Sequence, residues 1–303
     1  MRIVKRVLKV LAVVVVLVAA VGGGFVYWKC SQFDASTAKV YDVALPDVAR
    51  STDPAVVARG EHLVRSIAGC ASDSCHGADL GGGKPIVMGP LGTLTGPNIT
   101  PDNLGAAYSD AEMARLITRG IKKDGCSVRF MPCQDFDWLP DSDVVAIVSY
   151  LRTVKPGDRP NGATAIGWLG KVLDRQGKIV FDVAGHIAHE GIEHAPAPEP
   201  TSAYGVFVAR LCKGCHGEHL SGGPLPGAPA DFAVPLNLTP DATGLKEWSF
   251  EDFEKLMRTG VRKDGKTLDR LMPIESWKNF DDTEMHAVWA YLRGLQPMAY
   301  GQR

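Results

Sequence analysis

Two cysteines and a histidine in the second half of the chain have the spacing that covalent haem attachment requires. The run reads Cys212-Lys-Gly-Cys215-His216. Each thiol can add to a haem vinyl group, and the adjoining neutral imidazole then binds the iron as proximal ligand. The alternative chemistry for this pattern is a zinc or redox CxxC pair with an incidental histidine.

An imperfect copy of this motif lies at Cys70, Cys75 and His76, where four residues instead of two separate the cysteines. Two thioether bonds can form if the intervening loop bulges. The alternative is a single bond from Cys75, with Cys70 paired elsewhere. With both motifs occupied, the sequence predicts two covalently bound haem c groups.

Two methionines are predicted to be the sixth ligands of the irons. Met131 lies 55 residues after His76, and Met272 lies 56 residues after His216. A thioether is a soft ligand that favours reduced iron, so a His/Met pair raises the reduction potential. The alternative is that both methionines only fill the core.

The motifs belong to an internal repeat with offsets of 139 to 142 residues, which indicates two copies of one domain. Four further pairs of segments match in the same order: 98–102 with 237–241, 120–125 with 260–265, 131–132 with 272–273, and 150–152 with 291–293. We therefore predict four parts: a membrane anchor at 1–30, a first repeat at 50–155, a connector at 156–200 and a second repeat at 201–298.

Local signals within the repeats favour helices. Asp53-Pro54 is typical of a helix start, and Ser109 with Glu112 forms a capping-box pattern that is repeated from Ser249 to Gly260. Further helices are predicted to begin near residues 141 and 282. No stretch alternates in the way that a strand requires.

Each half resembles a class I cytochrome c domain of the kind found in the cytochrome subunits of bacterial membrane-bound alcohol, aldehyde and gluconate dehydrogenases. The resemblance rests on the run that begins Arg59-Gly-Glu-His62, on CxxCHG at 212–217, on the two Asn-x-Thr-Pro-Asp turns and on the Met-Pro pairs. It implies an all-α fold, with two tandem class I cytochrome c domains after an N-terminal transmembrane helix. The best-known of these subunits carry three haems, and this chain has two motifs.

The resemblance also implies that Asn98 and Asn237 donate hydrogen bonds near a haem propionate, although a plain Asx-Pro turn would use the same residues. Cys126 and Cys133 flank Met131, and a disulfide between them is predicted in an oxidising compartment. The alternative is that one of them binds iron as a thiolate. Cys30 is then left over.

Residues 10–28 are uncharged and mostly aliphatic, and they follow four basic residues. This pattern predicts a transmembrane helix with its N-terminus inside a bacterial inner membrane, so that the repeats face the periplasm. A cleaved signal peptide is the alternative. The net charge is −1 for the whole chain, with no basic patch that would suit nucleic acid.

The predicted function is electron transfer without substrate chemistry. The partners would be a periplasmic dehydrogenase or quinol-oxidising complex on one side and an oxidase or soluble cytochrome on the other. The alternative is a haem enzyme, either a dihaem peroxidase or a thiosulfate-oxidising cytochrome, with an unusual sixth ligand in the first repeat. Three connector histidines could bind a metal or form a solvated segment: His186, His189 and His194.

Overall fold

The computed structural model describes residues 2–188 and 196–303. Helices dominate this part of the chain, as the all-α prediction requires. They are α1 Arg2–Thr37, α2 Pro54–Arg65, α3 Asp110–Arg119, α4 Asp141–Leu151, α5 Trp168–Asp174, α6 Ser202–Val208, α7 Arg210–His216, α8 Phe250–Thr259, α9 Ile274–Trp277 and α10 Asp282–Gly294.

A small antiparallel sheet, which the sequence did not predict, joins the first repeat to the connector. Its strands are β1 Ile86–Val87, β2 Gly92–Leu94 and β3 Ala165–Ile166, in the order β1-β2-β3. Strands of two or three residues are too short to show an alternating pattern. The sheet fixes the connector to the first repeat.

Each repeat is built on one close helix crossing, α2 on α4 and α6 on α10. A Cβ added at Gly60 would lie 1.9 Å from the carbonyl oxygen of Ala146, and one at Gly205 would lie 2.0 Å from that of Ala287. Real side chains never approach so closely. Glycine is therefore required at both crossings.

The predicted helix boundaries are present in both repeats. Ser109 and Ser249 each accept a hydrogen bond from the third helical N–H and complete a capping box with Glu112 and Asp252. Such caps satisfy N–H groups that a helix start leaves without partners. Both helices end at a glycine in the left-handed region, as the second-repeat Gly260 illustrates.

The two repeats share one apolar core. A single cluster of buried side chains includes Leu63 and Ile67 of the first repeat together with Val208 of the second. Across the boundary, the rings of Trp138 and Phe207 lie 5.5 Å apart between centroids. Neither repeat could be removed without exposing this surface.

Helix α1 continues seven residues past the predicted end of the anchor, to Thr37. By length and composition it could cross a membrane, criteria that an N-terminal signal sequence also meets. Its last turns pack on α5 of the connector. Of the three connector histidines, His186 is exposed, while His189 and His194 lie outside the described residues.

Candidate haem sites

The second motif lies on a short helix that ends at its histidine. Cys212 and Cys215 are on α7, and His216 is its last residue. The imidazole is buried, and its Nδ1 lies 2.6 Å from the carbonyl oxygen of Leu236. With Nδ1–H donating to that carbonyl, Nε2 is left as the nitrogen that can bind a metal.

The first motif has the same histidine arrangement without the helix. Residues 70–76 form turns, in which the His76 amide donates to the carbonyl oxygen of Cys70 at 3.0 Å. His76 Nδ1 lies 2.8 Å from the carbonyl oxygen of Pro97, which again leaves Nε2 for a metal. The wider cysteine spacing is thus accommodated in turns.

Burial keeps both histidines in the form that a metal requires. Desolvation lowers the pKa of His76 and of His216, and the accepting carbonyl groups oppose this only in part. Because these pKa values lie below the ordinary histidine value, both imidazoles are neutral at neutral pH. Burial also raises the pKa values of the Cys70 and Cys212 thiols to about 12.

A tight loop after each histidine was missed in the sequence. Leu80 and Leu220 have φ values of 60° and 58°, a left-handed conformation that is uncommon for leucine. Each loop folds back on its histidine. The amide two residues after the leucine, that of Gly82 or Gly222, donates to the carbonyl oxygen of the motif histidine. The signal was the matching pattern His-Gly-x-x-Leu-x-Gly-Gly at 76–83 and 216–223.

The two predicted asparagines form Asx turns. Asn98 Oδ1 accepts hydrogen bonds from the backbone N–H and the hydroxyl of Thr100, at 3.0 and 2.7 Å. Asn237 binds Thr239 in the same way, at 2.9 and 2.8 Å. Each Nδ2 also donates to the segment that follows the last helix of its repeat, to the carbonyl of Gly157 or of Met298. The asparagines therefore brace that returning segment.

Two arginines that lie just past the predicted repeat ends cover the histidine loops. Arg159 Nε donates to the carbonyl oxygen of Gly81 at 3.1 Å, and an Arg303 amino group donates to that of Gly223 at 2.7 Å. They lie 144 positions apart. In both halves, therefore, the segment that follows the predicted repeat returns over the histidine loop.

The predicted methionine ligands occupy equivalent places. Met131 and Met272 are half-buried and both pack against the shared core, where Cys70 and Cys212 also pack. In each loop the amide two residues later, that of Cys133 or Ile274, donates to the methionine carbonyl at 2.8 Å. Each repeat thus holds its methionine in an equivalent turn.

The predicted disulfide between Cys126 and Cys133 is wrong for this structure, in which all seven cysteines are free thiols. The Cys133 thiol is fully buried and donates to the carbonyl oxygen of Leu116 at 3.2 Å. The Cys126 sulfur lies 4.0 Å from the carbonyl oxygen of Ala38. The two thiols have different neighbours because Cys126 lies on a turn that pairs with the segment after α1.

Charged groups that link the repeats were also missed. His62 Nε2 lies 2.7 Å from Oε1 of Glu284, a side chain that is only 1% exposed. The hydrogen bond to Glu284 raises the pKa of His62 against the opposing effect of burial. In a second pair the basic residue comes from the second repeat: Arg210 donates to Asp137 of the first at 2.8 Å. Pairs 222 and 73 residues apart carry no local sequence signal.

Contacts across the repeat interface reach both haem motifs. Arg210 lies two residues before Cys212, and a Cβ at Gly69, next to Cys70, would lie 3.7 Å from Nε1 of Trp277. The residues that precede each cysteine pair therefore lie beside the segment that follows the other repeat's methionine.

Residues 202–296 match the cytochrome c family. The second half is therefore a cytochrome c domain, the class of protein that binds haem c covalently and transfers electrons. The helical fold agrees with the class I type that the sequence predicted.

The chain as a whole is similar to the cytochrome c subunits of dehydrogenases. It is 27% identical over 276 residues to the alcohol dehydrogenase (quinone) cytochrome c subunit of Gluconacetobacter polyoxogenes, which covers 82% of this chain and 58% of the relative. It is 32% identical over 129 residues to the gluconate 2-dehydrogenase cytochrome c subunit of Pantoea cypripedii, with 40% and 29% covered. The chain thus spans little more than half the length of the first of these relatives.

The residues present fit haem c. Each motif offers thiols for thioether bonds and a neutral imidazole with Nδ1 already engaged, and each repeat carries a methionine in a matched loop at the edge of the shared core. Haem iron so held supplies reversible one-electron chemistry. The protein residues hold the imidazole orientation and exclude water from the core around the motifs.

Proposed function

We propose that this chain is a membrane-anchored dihaem cytochrome c. One haem would be held by Cys70, Cys75 and His76, and the other by Cys212, Cys215 and His216. Met131 and Met272 would be the sixth ligands. The observation that carries the proposal is the paired histidine geometry, in which both Nδ1 atoms bond to a backbone carbonyl within 2.8 Å.

Electron transfer between the haems would cross the repeat interface. The hydrogen bond from Arg210 to Asp137 and the position of Trp277 beside Gly69 bring the surroundings of the two cysteine pairs together. A shared core holds this arrangement fixed, so little reorganisation would accompany each transfer. The chain would therefore work as one two-haem unit.

The donor would be a dehydrogenase or a quinol-oxidising complex, and the acceptor an oxidase or a soluble cytochrome. The similarity to dehydrogenase cytochrome subunits supports the first of these donors. Helix α1 would anchor the chain in the bacterial inner membrane, with both repeats in the periplasm. The basic residues before the apolar span support this orientation.

The test is haem stoichiometry by pyridine haemochrome, together with low-temperature EPR of the oxidised full-length protein. We expect two haems per chain and two low-spin ferric signals of the His/Met type. One haem per chain would contradict the assignment of the first motif. A high-spin or thiolate-type signal would instead favour a haem enzyme with its reactive site in the first repeat.

Matched variants assign the sixth ligands. Met131→Leu and Met272→Leu should each remove one His/Met signal and lower the reduction potential of one haem, because an apolar side chain of similar size cannot bind iron. Met257→Leu, a buried methionine of α8, is the control and should leave both signals unchanged. Two intact signals in either ligand variant would show that its methionine only fills the core.

A further inference from the structure

Helix α1 is held against the rest of the molecule before it leaves the predicted bilayer span. Val26, Lys29, Cys30, Phe33 and Thr37 are half-buried or buried, and their spacing of three or four residues places them on one helix face. Val26 lies inside the predicted span of 10–28. The periplasmic part of the molecule therefore reaches down to the level at which the span ends.

The contacts at this junction are both polar and apolar. Lys171 Nζ lies 2.6 Å from Oδ1 of Asp34, and Lys29 Nζ donates to the carbonyl oxygen of Arg175 at 3.4 Å. Phe33 is 2% exposed and packs in a cluster with Phe181. The buried Phe33 ring and the two polar contacts together fix the direction of α1 relative to the connector.

Helix α5 presents a tryptophan at the same level. The Cys30 sulfur lies 3.7 Å from the carbonyl oxygen of Trp168, the first residue of α5. Cys30 is two residues past Trp28, about 3 Å along the helix axis. Trp168 is nevertheless 53% exposed, and the backbone beside it is fixed by the bond from the Gly167 amide to the carbonyl oxygen of Leu91.

The geometry points to a lipid contact: Trp168 inserts into the headgroup region of the bilayer that α1 spans. Tryptophan prefers this region because its ring is apolar and its N–H needs a polar partner. Tyr27 and Trp28 occupy the same level on α1. The connector thus rests on the membrane and gives the haem domains one orientation. This inference rests on the proposed anchoring by α1.

Photo-crosslinking tests the contact. Trp168 is replaced by p-benzoylphenylalanine in the full-length haem-loaded protein, which is placed in nanodiscs of phosphatidylcholine and phosphatidylglycerol and irradiated. The same replacement at Val206, which is 37% exposed on α6, is the matched control. We expect lipid adducts, measured by mass spectrometry, to be at least about tenfold more abundant at position 168 than at 206.

The outcomes separate the contact from the anchor. Equal adducts at both positions, or none at 168, would overturn the lipid contact even if the chain remains in carbonate-washed membranes. Release of the chain by carbonate would refute the anchor and the contact together. Crosslinks from 168 to a protein instead of lipid in native membranes would show that a partner subunit covers α5, and would also overturn the inference.

Discussion

The first and second repeats share several features of backbone structure and differ around the first cysteine–histidine motif. Both have the glycine crossing, the capping box, the left-handed leucine after the histidine, and the Asx turn. The first repeat alone has the wider cysteine spacing and the thiols of Cys126 and Cys133, where the second has Lys266 and Ile274. The repeats therefore differ beside the first cysteine–histidine motif and agree at the helix crossing.

The largest expected effect comes from filling the helix crossings. Gly60→Ala and Gly205→Ala should each destabilise the protein by about 3 kcal/mol or more, because a methyl group would overlap a backbone carbonyl. Urea unfolding followed by circular dichroism measures this loss. Gly294→Ala, at the end of α10 with its nearest atom 3.9 Å away, is the control and should change stability little.

Equal losses of stability in the two glycine variants would show that each repeat depends on its own helix crossing to the same extent. If only one of them destabilises the protein, the crossings are not equivalent. The shared core predicts a single transition in both cases.

The next effect concerns the link between the repeats. His62→Ala should destabilise the protein by about 2 kcal/mol, since it removes the charged partner of the buried Glu284 carboxylate and leaves it only the hydrogen bond from the Asp281 backbone N–H. The expected value is reduced because His62 is 28% exposed. Arg210→Ala, at the more exposed reciprocal link, should cost less, about 1 kcal/mol. A larger loss in Arg210→Ala would reverse this ranking of the links.

The same histidine predicts a pH dependence. Its folded-state pKa is raised, so the protonated pair adds stability that is fully present below the unfolded pKa of about 6.5 and is lost as the pH rises through the folded value. Urea midpoints from pH 6 to pH 9 should therefore fall in the wild type. In His62→Gln this part of the fall should be absent, and an unchanged slope would contradict the assignment.

A smaller effect distinguishes the two cysteines that only the first repeat has. Cys133→Ala should cost about 1.5 kcal/mol because it leaves a small cavity in the core, whereas Cys126→Ala should stay within about 0.5 kcal/mol. A disulfide would instead make both substitutions costly by a similar amount. Thermal unfolding with and without reductant measures the difference.

The last comparison concerns the helix caps, which both repeats have. Ser109→Ala and Ser249→Ala should each cost about 1 kcal/mol, since each removes a side-chain acceptor at a helix start. Equivalent losses in urea midpoints would confirm that α3 and α8 have matched caps. Thr201, the cap of α6, provides a third position for comparison through Thr201→Ala.

Local chemistry made much of the fold predictable. Capping boxes, left-handed glycines and the spacing of thiols and imidazoles act over a few residues, so the sequence displays them directly. The internal repeat supported these predictions, because the matched segments occur in the same order in both halves. Even the Asx turns at Asn98 and Asn237 were visible as one of two alternatives.

Long-range contacts were not predictable from these signals. The pairing of His62 with Glu284 depends on how the repeats face each other, and nothing near either residue indicates it. The strands around Gly92 are too short for a period. Arg159 and Arg303 lie beyond the last matching segments, 150–152 and 291–293, so the repeat pattern gives no signal for their contacts with the histidine loops.

The common core has a consequence for how such a chain can be divided. Because the apolar faces of α2 and α6 lie in one cluster, each half by itself would expose a surface that fits the other half. Two separately made fragments would therefore associate and reconstitute the folded molecule by complementation. The two repeats, although similar in sequence, therefore form the halves of one folding unit.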